Sequence, residues 1–346
     1  MQTDILRLPA EWEPTEGVLI AWPHKNTDWA EMLEEVERSY CELAHAIARH
    51  ARLIVIGPDL KSARDMLKDI PDERICFFQC MTNDTWTRDY GPITTLTDNG
   101  GVQANDFVFN GWGLKFASDH DNRATRRMVD AKLIDPENYV NRLDLVLEGG
   151  SIDSDGAGTI LTTSECLLSP NRNASLSRQD IENHIKEYLG ARRVLWLDHG
   201  YLAGDDTDSH IDTLARLAPH NTIVYTGCDD PTDEHFTSLR DMASQLSEFR
   251  TADGATYNLI ELPLPDPIYD EDGERLPATY ANYLPLNDAV LVPSYGQKRK
   301  DILAQQMLKI VFPDHTIEPV DCRALIRQHG SLHCATMQLP HGVLAF

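Results

Sequence analysis

Residues 29–56 read WAEMLEEVERSYCELAHAIARHARLIVI, a long helical pattern that leads directly into a short apolar run. The apolar side chains that fall near one helical face are Met32, Val36, Leu43 and Ile47. This spacing predicts a helix over residues 29–51, with Asp28 as its N-cap. Residues 52–56 are rich in branched apolar side chains and predict a buried strand directly after the helix.

The same order, a helix followed by short strands, returns several times along the chain. Further helices are predicted over residues 60–68, 122–133, 178–189, 233–249 and 300–311, and strand-like runs over residues 193–197, 257–261 and 316–320. A doubly wound α/β fold would have a helix for each strand, whereas this chain has several strands per helix. The pattern therefore predicts an α/β fold built by radial repetition of a small mixed unit.

The chain has 346 residues and a formal net charge of −24 at pH 7. Proteins that bind nucleic acids or anionic membranes usually present a basic surface, so this charge argues against both kinds of partner. An acidic cleft concentrates cations, which makes a cationic small-molecule substrate plausible, although the charge also serves simply to prevent aggregation. No linker-like stretch interrupts the sequence, so we expect one domain over residues 1–346, while the length would also allow two.

Seven cysteines are expected to be free thiols, since an odd number without a secretory signal does not suit a disulfide framework. Cys76 and Cys80 have the spacing closest to a metal motif, but they lie in an apolar, strand-like run. We interpret them as buried strand cysteines, and no metal site is expected. The first residues lack the pattern of a signal peptide, and the apolar runs are too short to cross a bilayer, so the expected location is the cytoplasm.

Residues 83–93, NDTWTRDYGPI, place Asp89 just before a Gly-Pro break, which is typical of a loop at the end of a strand. Trp86 could form an aromatic wall that stacks on a planar cation. The alternative is a surface ion pair between Arg88 and Asp89, with Trp86 packed in the core.

Residues 143–163 predict a strand, a tight turn at Asp155-Gly156 and a second strand. Glu148 ends the first apolar strand and is followed by two glycines. Such a carboxylate either ends its strand in solvent or projects into a pocket, where the glycines let another group come close.

Residues 204–216 read GDDTDSHIDTLAR. If residues 210–212 open a strand, its period of two places His210 and Asp212 on one face. A histidine beside a carboxylate suits proton transfer near neutral pH. The alternative is an Asp-rich turn that carries His210 on the surface.

Cys334 lies near the end of the chain, in the segment HGSLHCAT at residues 329–336. Cysteine is a strong nucleophile once its thiol is activated, although a single cysteine is more often a small buried apolar residue. On a strand, neighbouring side chains point to opposite faces, so the adjacent His333 is not expected to activate Cys334. His210 is the candidate base.

Four motifs together resemble the agmatine deiminase and bacterial peptidyl-arginine deiminase family, within the guanidino-group-modifying superfamily. The motifs are WTRDYGP at residues 86–92, FNGWG at 109–113, LEGG at 147–150 and HID at 210–212. The resemblance extends from Pro9 to Thr336. It implies a five-bladed, pseudo-symmetric α/β propeller of repeated strand and helix units around a central active site, which agrees with the ratio of strands to helices.

The resemblance also implies roles for individual residues. The matching positions are Cys334 for the nucleophile, His210 for the general acid/base, Glu148, Asp212 and Asp89 for carboxylates around a guanidinium, and Trp86, Asp206 and Trp112 for further substrate contacts. The sequence departs from the family at Ser209, where a glycine is usual, and at Asp206, where a longer acidic residue is common.

The activity that the resemblance implies is hydrolysis of agmatine to N-carbamoylputrescine and ammonia through a covalent thiouronium on Cys334, without a metal or organic cofactor. The acidic run at residues 205–208 favours a substrate that ends in an amine, because an arginine carboxylate would need Arg or Lys. Buried carboxylates without a basic counterpart also imply a cationic ligand. The alternatives are deimination of arginine in peptides, giving citrulline, and a non-catalytic protein that binds polyamines or guanidines. The sequence is also compatible with assembly into a homo-oligomer.

Overall fold

The computed structural model describes residues 6–345. The strands are β1 Leu6–Arg7, β2 Thr15–Ala21, β3 Arg52–Gly57, β4 Ile75–Gln79, β5 Ile93–Thr97, β6 Val102–Val108, β7 Tyr139–Val146, β8 Ile152–Ser154, β9 Thr159–Thr163, β10 Arg193–Leu197, β11 Ala215–Ala218, β12 Thr222–Gly227, β13 Asn258–Pro263, β14 Leu284–Leu286, β15 Ala289–Ser294, β16 Thr316–Asp321 and β17 Met337–Pro340. The helices are α1 Leu33–His50, α2 Lys61–Met66, α3 Thr87–Tyr90, α4 Gly111–Leu114, α5 Ala124–Asp130, α6 Ser164–Leu167, α7 Pro170–Asn173, α8 Arg178–Leu189, α9 Ile211–Leu214, α10 Phe236–Glu248 and α11 Lys298–Val311. Within this range, none of the helices is both long and apolar enough to cross a membrane.

The strands form five sheets that repeat one unit. In the unit made by β8, β9 and β10, the first two strands are antiparallel, the last two are parallel, and α8 connects the parallel pair. The other units are β5–β6–β7 with α5, β11–β12–β13 with α10, β14–β15–β16 with α11, and β17–β2–β3 with α1. A parallel pair needs such a crossover, whereas an antiparallel pair does not. The chain is thus a five-bladed α/β propeller, which confirms the predicted radial repetition.

Helix α1 shows how each helix covers its sheet. Its buried side chains include Val36, Tyr40, Leu43 and Ile47, which lie on one helical face and pack over the buried strand β3. Burial of each large apolar side chain contributes about 1.5–3 kcal/mol. Because α1 also contacts β16 of the neighbouring unit, it joins two blades.

Most of the predicted elements are confirmed, and the errors lie at their ends. Helix α8 spans the predicted residues, with a capping box at Ser177 and a left-handed Gly190 after its last turn. The prediction that Asp28 caps the first long helix is wrong. A 3-10 turn at Ala30–Met32 precedes α1, and the Thr27 hydroxyl accepts the Trp29 N–H at the start of this turn. Helices α2, α5 and α10 are likewise shorter than predicted.

The cysteines behave largely as predicted. All seven are free thiols. Cys76 lies in β4 and is half-buried, while Cys80 follows this strand and is buried. The hairpin between β8 and β9 also has its predicted turn, in which Gly156 has a φ of 72° that favours glycine.

Candidate active site

One position in the repeated unit supplies the polar residues of the site. The side chains that stand two to four residues before the first antiparallel strand of a unit are Asp89 before β5, Glu148 before β8, Asp212 before β11, Asn282 before β14 and Cys334 before β17. All five are buried. The five-fold repeat therefore directs equivalent segments of distant sequence to the centre of the propeller.

Asp89 lies in the short helix α3 rather than in the predicted loop, and it is fully inside the protein. One carboxylate oxygen accepts the indole N–H of Trp112 at 2.9 Å, and the other accepts the backbone N–H of Gly150 at 2.9 Å. The alternative of an Arg88–Asp89 surface pair is wrong, because Arg88 is buried and donates to Glu11 at 3.0 Å. Burial raises the pKa of Asp89, the charge of His210 and the indole bond oppose this rise, and the charges of Asp212 and Glu148 add to it.

Glu148 projects inward, as one of the two sequence interpretations predicted. The Nε of Arg172 in α7 donates to both of its carboxylate oxygens, at 3.0 and 2.9 Å. The expectation that the buried carboxylates lack a basic counterpart is therefore wrong for Glu148. Burial alone would raise the pKa of this carboxyl, but His210 and Arg172 together lower it.

Gly150 lets three polar side chains approach one another. A Cβ at this position would lie 2.6 Å from His210 Nδ1, 2.9 Å from Asp89 Oδ1 and 3.2 Å from Asp212 Oδ2. Only glycine fits this gap without displacing the three side chains. The glycine at position 150 therefore allows them to come close together, as the sequence interpretation of the two glycines after Glu148 predicted.

His210 immediately precedes the helical turn α9, and the strand predicted at residues 210–212 begins only at Ala215. That prediction is wrong because a helical turn, not a period of two, brings His210 and Asp212 into one site. His210 Nδ1 lies 3.7 Å from Asp89 Oδ1, and Nε2 lies 3.9 Å from Glu148 Oε2. Burial lowers the pKa of His210, but the charge of Asp89 and the contacts with Cys166 and Glu148 raise it well above its ordinary value. Both ring nitrogens are buried and have no hydrogen-bond partner in the described chain, and the two flanking carboxylates favour the charged imidazole.

Asp212 bridges two parts of the site. Its Oδ2 accepts from His333 Nδ1 at 2.8 Å and lies 3.6 Å from Cys334 Sγ. Its Oδ1 is buried and has no hydrogen-bond partner in the described chain. Burial raises the pKa of Asp212, yet the hydrogen bond and charge of His333 lower it overall. The carboxylate stays ionised with one oxygen free.

Cys334 and His333 lie in a turn before β17. The strand that was expected to point their side chains to opposite faces is therefore absent at this position. His333 nevertheless directs its ring nitrogens to Asp212 and Glu11. The amide of Asn282 lies against Cys334, with Nδ2 at 3.2 Å from Sγ and Oδ1 accepting the backbone N–H at 3.3 Å. Burial, followed by the charges of Asp212 and Asp89, raises the pKa of the thiol well above its ordinary value.

A cavity of about 130 Å³ opens at Cys334. Its lining residues are Asp28, Asp84, Trp86, Asp89, Trp112, Phe116, Asp205, Asp206, Thr207, Thr213, Gln328, His329, Gly330 and Cys334. The Trp86 ring is backed by Trp29, at 5.7 Å between ring centroids, and by Gly330, where a Cβ would lie 2.4 Å from the ring. The aromatic wall predicted at Trp86 thus lies at the cavity, and so does Trp112.

In the acidic run before His210, two carboxylates already have partners within the chain, and a third is more exposed and could bind a ligand. Asp205 accepts backbone N–H groups of Thr207 and Ser209, so it shapes the loop. Asp208 is paired with Lys115 at 2.6 Å and with an arginine at 2.5 Å. Asp206 is 44% exposed at its side chain, and the ionic neighbour found for it is His329 at 4.0 Å.

Glu148, Cys166 and His210 are the described residues that come closest to a metal site, with ligand atoms within 4.8 Å of one another. Both oxygens of Glu148 already accept from Arg172, and the raised pKa of His210 favours a proton on its ring. These three groups are therefore arranged for proton chemistry.

Sequence reasoning missed several residues of the site, which are Glu11, Cys166, Arg172, Arg216, Asn282 and His333 as a partner of Asp212. Asn282 stands in the same position of its unit as Asp89 and Cys334 do in theirs. Alignment of the five units would have found it. Arg172 and Arg216 do not occupy an equivalent position in the repeat, so no alignment of the units would identify them. Contacts between different units bring them to the site.

Comparisons with known proteins agree with this geometry. A family model for Porphyromonas-type peptidyl-arginine deiminase matches residues 7–340. The agmatine deiminase of Pseudomonas aeruginosa (strain LESB58) is 32% identical over 363 residues, which cover 98% of this chain and 96% of that protein.

Solved structures are similar over the whole chain. C. jejuni agmatine deiminase with substrate bound has a TM-score of 0.91 and 38% identity, covering 99% of this chain and 98% of that one. A Porphyromonas gingivalis structure, provisionally described as an arginine deiminase, has a TM-score of 0.91 and 49% identity, covering 98% and 99%. The chain therefore belongs to the Porphyromonas-type peptidyl-arginine deiminase family and is a hydrolase that acts on carbon–nitrogen bonds in amidines.

Proposed function

We propose that this chain is an agmatine deiminase, which hydrolyses agmatine to N-carbamoylputrescine and ammonia. The observation that carries the proposal is the charge of the cavity at Cys334. Among its described lining residues are five aspartates, and neither Lys nor Arg is one of them. Agmatine carries a guanidinium at one end and an ammonium at the other, so both of its ends are attracted by this cavity.

The inner end of the cavity suits the guanidinium. Asp89 and Asp212 converge on the same face of Gly150, close to Cys334, and Asp212 Oδ1 has no other partner in the described chain. Carboxylates bind the planar guanidinium through paired N–H donors. The Trp86 and Trp112 rings would flank the plane of the cation and keep water away from it.

Asp206 is the best candidate for the distal ammonium. Its neighbours Asp205 and Asp208 already accept from the chain, whereas Asp206 lies at the cavity and has one ionic neighbour, His329, at 4.0 Å. An arginine would place its carboxylate in this same acidic region. Because like charges repel, agmatine is favoured over arginine.

The first half of the reaction forms a bond to sulfur. A bound guanidinium offsets the burial and the carboxylates that raise the thiol pKa, so Cys334 loses its proton to solvent water and the thiolate adds to the guanidinium carbon. Charged His210 gives its proton to a nitrogen of the adduct, and the carbon–nitrogen bond breaks. Ammonia departs, and the carbon remains on Sγ as a thiouronium.

The second half releases the product. Neutral His210 takes a proton from water, and the water oxygen adds to the thiouronium carbon. The carbon–sulfur bond then breaks, the hydroxyl proton of the adduct passes to the departing sulfur, and N-carbamoylputrescine leaves, so Cys334 is again a thiol and His210 is again charged. Glu148 and Asp89 on either side of the imidazole stabilise its charged form before the first half and after the second.

Two further parts of the proposal concern organisation. We take residues 1–346 as one catalytic domain, because segments from all five units meet at one site. The free cysteines suit a reducing compartment, so we place the enzyme in the cytoplasm.

Deimination of arginine in peptides is the alternative, since the family model that matches this chain is named for that activity. The test is to incubate the purified protein with agmatine, free arginine and an arginyl peptide, and to measure ureido product. We expect turnover of agmatine at least tenfold above the others in kcat/KM, corresponding to about 1.4 kcal/mol. Turnover of the peptide alone would refute the assignment.

A non-catalytic guanidine-binding protein is the other alternative. It would bind agmatine with an intact Cys334 and release it unchanged. Cys334→Ser separates the two, because a binder retains its affinity and wild-type protein never yields product. Our proposal requires product from the wild type and none from the variant.

A further inference from the structure

A buried row of charged side chains continues from Asp212 away from the cavity. His333 donates through Nδ1 to Asp212 at 2.8 Å, and its Nε2 lies 2.8 Å from both carboxylate oxygens of Glu11. The exposed fractions of the side chains are 1% for His333, 1% for Asp212 and 15% for Glu11. Both ring nitrogens thus face carboxylates, and Nε2 also lies 3.2 Å from the guanidinium of Arg216, so every polar atom of the ring has a partner.

Two arginines fix the far end of this row. Arg216 is paired with Glu11 and with Asp153, and it donates to the backbone oxygen of Tyr283 at 2.9 Å. Arg88 donates to Glu11 from the other side at 3.0 Å. Glu11 therefore has a fixed position that is set by residues outside the substrate cavity.

The position of His333 decides how the Asp212 carboxylate is oriented beside Cys334. Since His333 occupies Oδ2, the carboxylate cannot rotate freely, and Oδ1 is left without a partner. This free oxygen is the one available to a guanidinium N–H. The backbone of His333 is held as well, because Asn282 Oδ1 accepts its N–H at 2.8 Å.

We propose that Glu11 and His333 are positioning residues for the deimination reaction: they hold Asp212 in the orientation that binds the guanidinium next to Cys334. Neither side chain is among the described lining residues of the cavity, so they act through Asp212, whose Oδ2 lies 3.6 Å from Cys334 Sγ. The inference rests on the proposed function only in the identity of the substrate.

The test compares three substitutions in the full-length protein. His333→Leu removes the donor to Asp212, His333→Asn keeps a donor near the position of Nδ1, and Glu11→Gln removes the charge that fixes the imidazole. We expect KM for agmatine to rise about tenfold or more in His333→Leu and in Glu11→Gln, in line with loss of a hydrogen bond to a charged group. His333→Asn should recover most of this loss.

His50 provides a matched control, because its two ring nitrogens also face carboxylates, Asp288 at 2.9 Å and Glu318 at 3.2 Å, at the end of α1. His50→Leu should leave KM unchanged. A role in folding alone would lower the active fraction and kcat at constant KM, without recovery in His333→Asn. That result, or unchanged kinetics in all three variants, would overturn the inference. If His333→Leu does not fold, Glu11→Gln and His333→Asn decide the question.

A second readout requires no turnover. The reagents are the cationic 2-chloroacetamidine and the neutral 2-chloroacetamide; we expect both to alkylate Cys334 and Asp212 to favour the cation. We expect the preference for the cation to fall about tenfold in His333→Leu and to persist in His333→Asn. If agmatine is not turned over but this preference changes as expected, the proposed function fails and the positioning role stands. If agmatine is turned over and the preference is the same in every variant, the positioning role fails and the function stands.

Discussion

The Oδ2 atom of Asp212 lies 3.6 Å from the Sγ atom of Cys334. Both side chains are buried, and Asp89 adds a second negative charge nearby. These conditions raise the pKa of Cys334, so the free enzyme holds a thiol and not a thiolate. Under the proposed mechanism a cationic substrate would reverse this balance, so that Cys334 becomes a nucleophile only towards molecules that carry such a charge.

Removal of the nearest negative charge should activate the thiol and abolish catalysis. Asp212→Asn lowers the pKa of Cys334, and a shift of one unit would increase alkylation by 2-chloroacetamide about tenfold at pH 8. Asp106→Asn is the control, since Asp106 is a buried aspartate paired with Arg126 outside the cavity. Alkylation rates that are equal in wild type and Asp212→Asn would contradict this account.

Trp112→Phe keeps an aromatic ring but removes the N–H that donates to Asp89 at 2.9 Å. Loss of a hydrogen bond to a charged group costs about 1.5–3 kcal/mol, so kcat/KM for agmatine should fall at least tenfold. Trp196→Phe removes an equivalent indole bond to Glu182, also at 2.9 Å, and should have little effect on kinetics. Similar losses in both variants would mean that the Trp112 bond has no specific role in catalysis.

Gly150→Ala should displace the groups that carry the reaction. The added Cβ would lie 2.6 Å from His210 Nδ1 and 2.9 Å from Asp89 Oδ1. Misplacement of such groups by about 1 Å lowers rates about 100-fold, and we expect a loss of that size in kcat. Gly57→Ala, whose Cβ would lie 3.1 Å from Leu60, should be nearly neutral. Wild-type kcat in Gly150→Ala would show that the three side chains need not meet there.

Asp84 should give agmatine binding a dependence on pH near neutrality. Burial, with a contribution from Asp28, raises the pKa of Asp84 to about 7. The carboxyl is protonated and neutral below this pH and negatively charged above it, so KM should fall as the pH rises from 6 to 8. Asp84→Asn should remove this part of the pH dependence. An identical KM profile in wild type and variant would contradict the assignment.

The sequence predicted the elements whose patterns are local. Helix α8 spans the residues that its helical periodicity predicts, and in the structure a capping box and a left-handed glycine mark its ends. The repeated helix-to-strand order also predicted the propeller. The start of α1 was misplaced, because the turn before it uses Thr27 and not Asp28.

The site was only partly predictable for a related reason. Glu148 and Cys334 stand out through residue type, and the family motifs led to them. Asn282 has no chemical signature of its own, and only its place in the repeat marks it. Arg172 and Arg216 lie in elements that no local pattern connects to the site, because contacts between different units bring them there.

The covalent role of Cys334 is the centre of this account, and acid-quenched intact-mass analysis during turnover of agmatine tests it most directly. The account predicts an adduct on Cys334 with the mass of agmatine less ammonia, which disappears when the substrate is exhausted and is absent from Cys334→Ser. Continued production of N-carbamoylputrescine by Cys334→Ser, or turnover in the wild type with no adduct on Cys334 at any quench time, would contradict it.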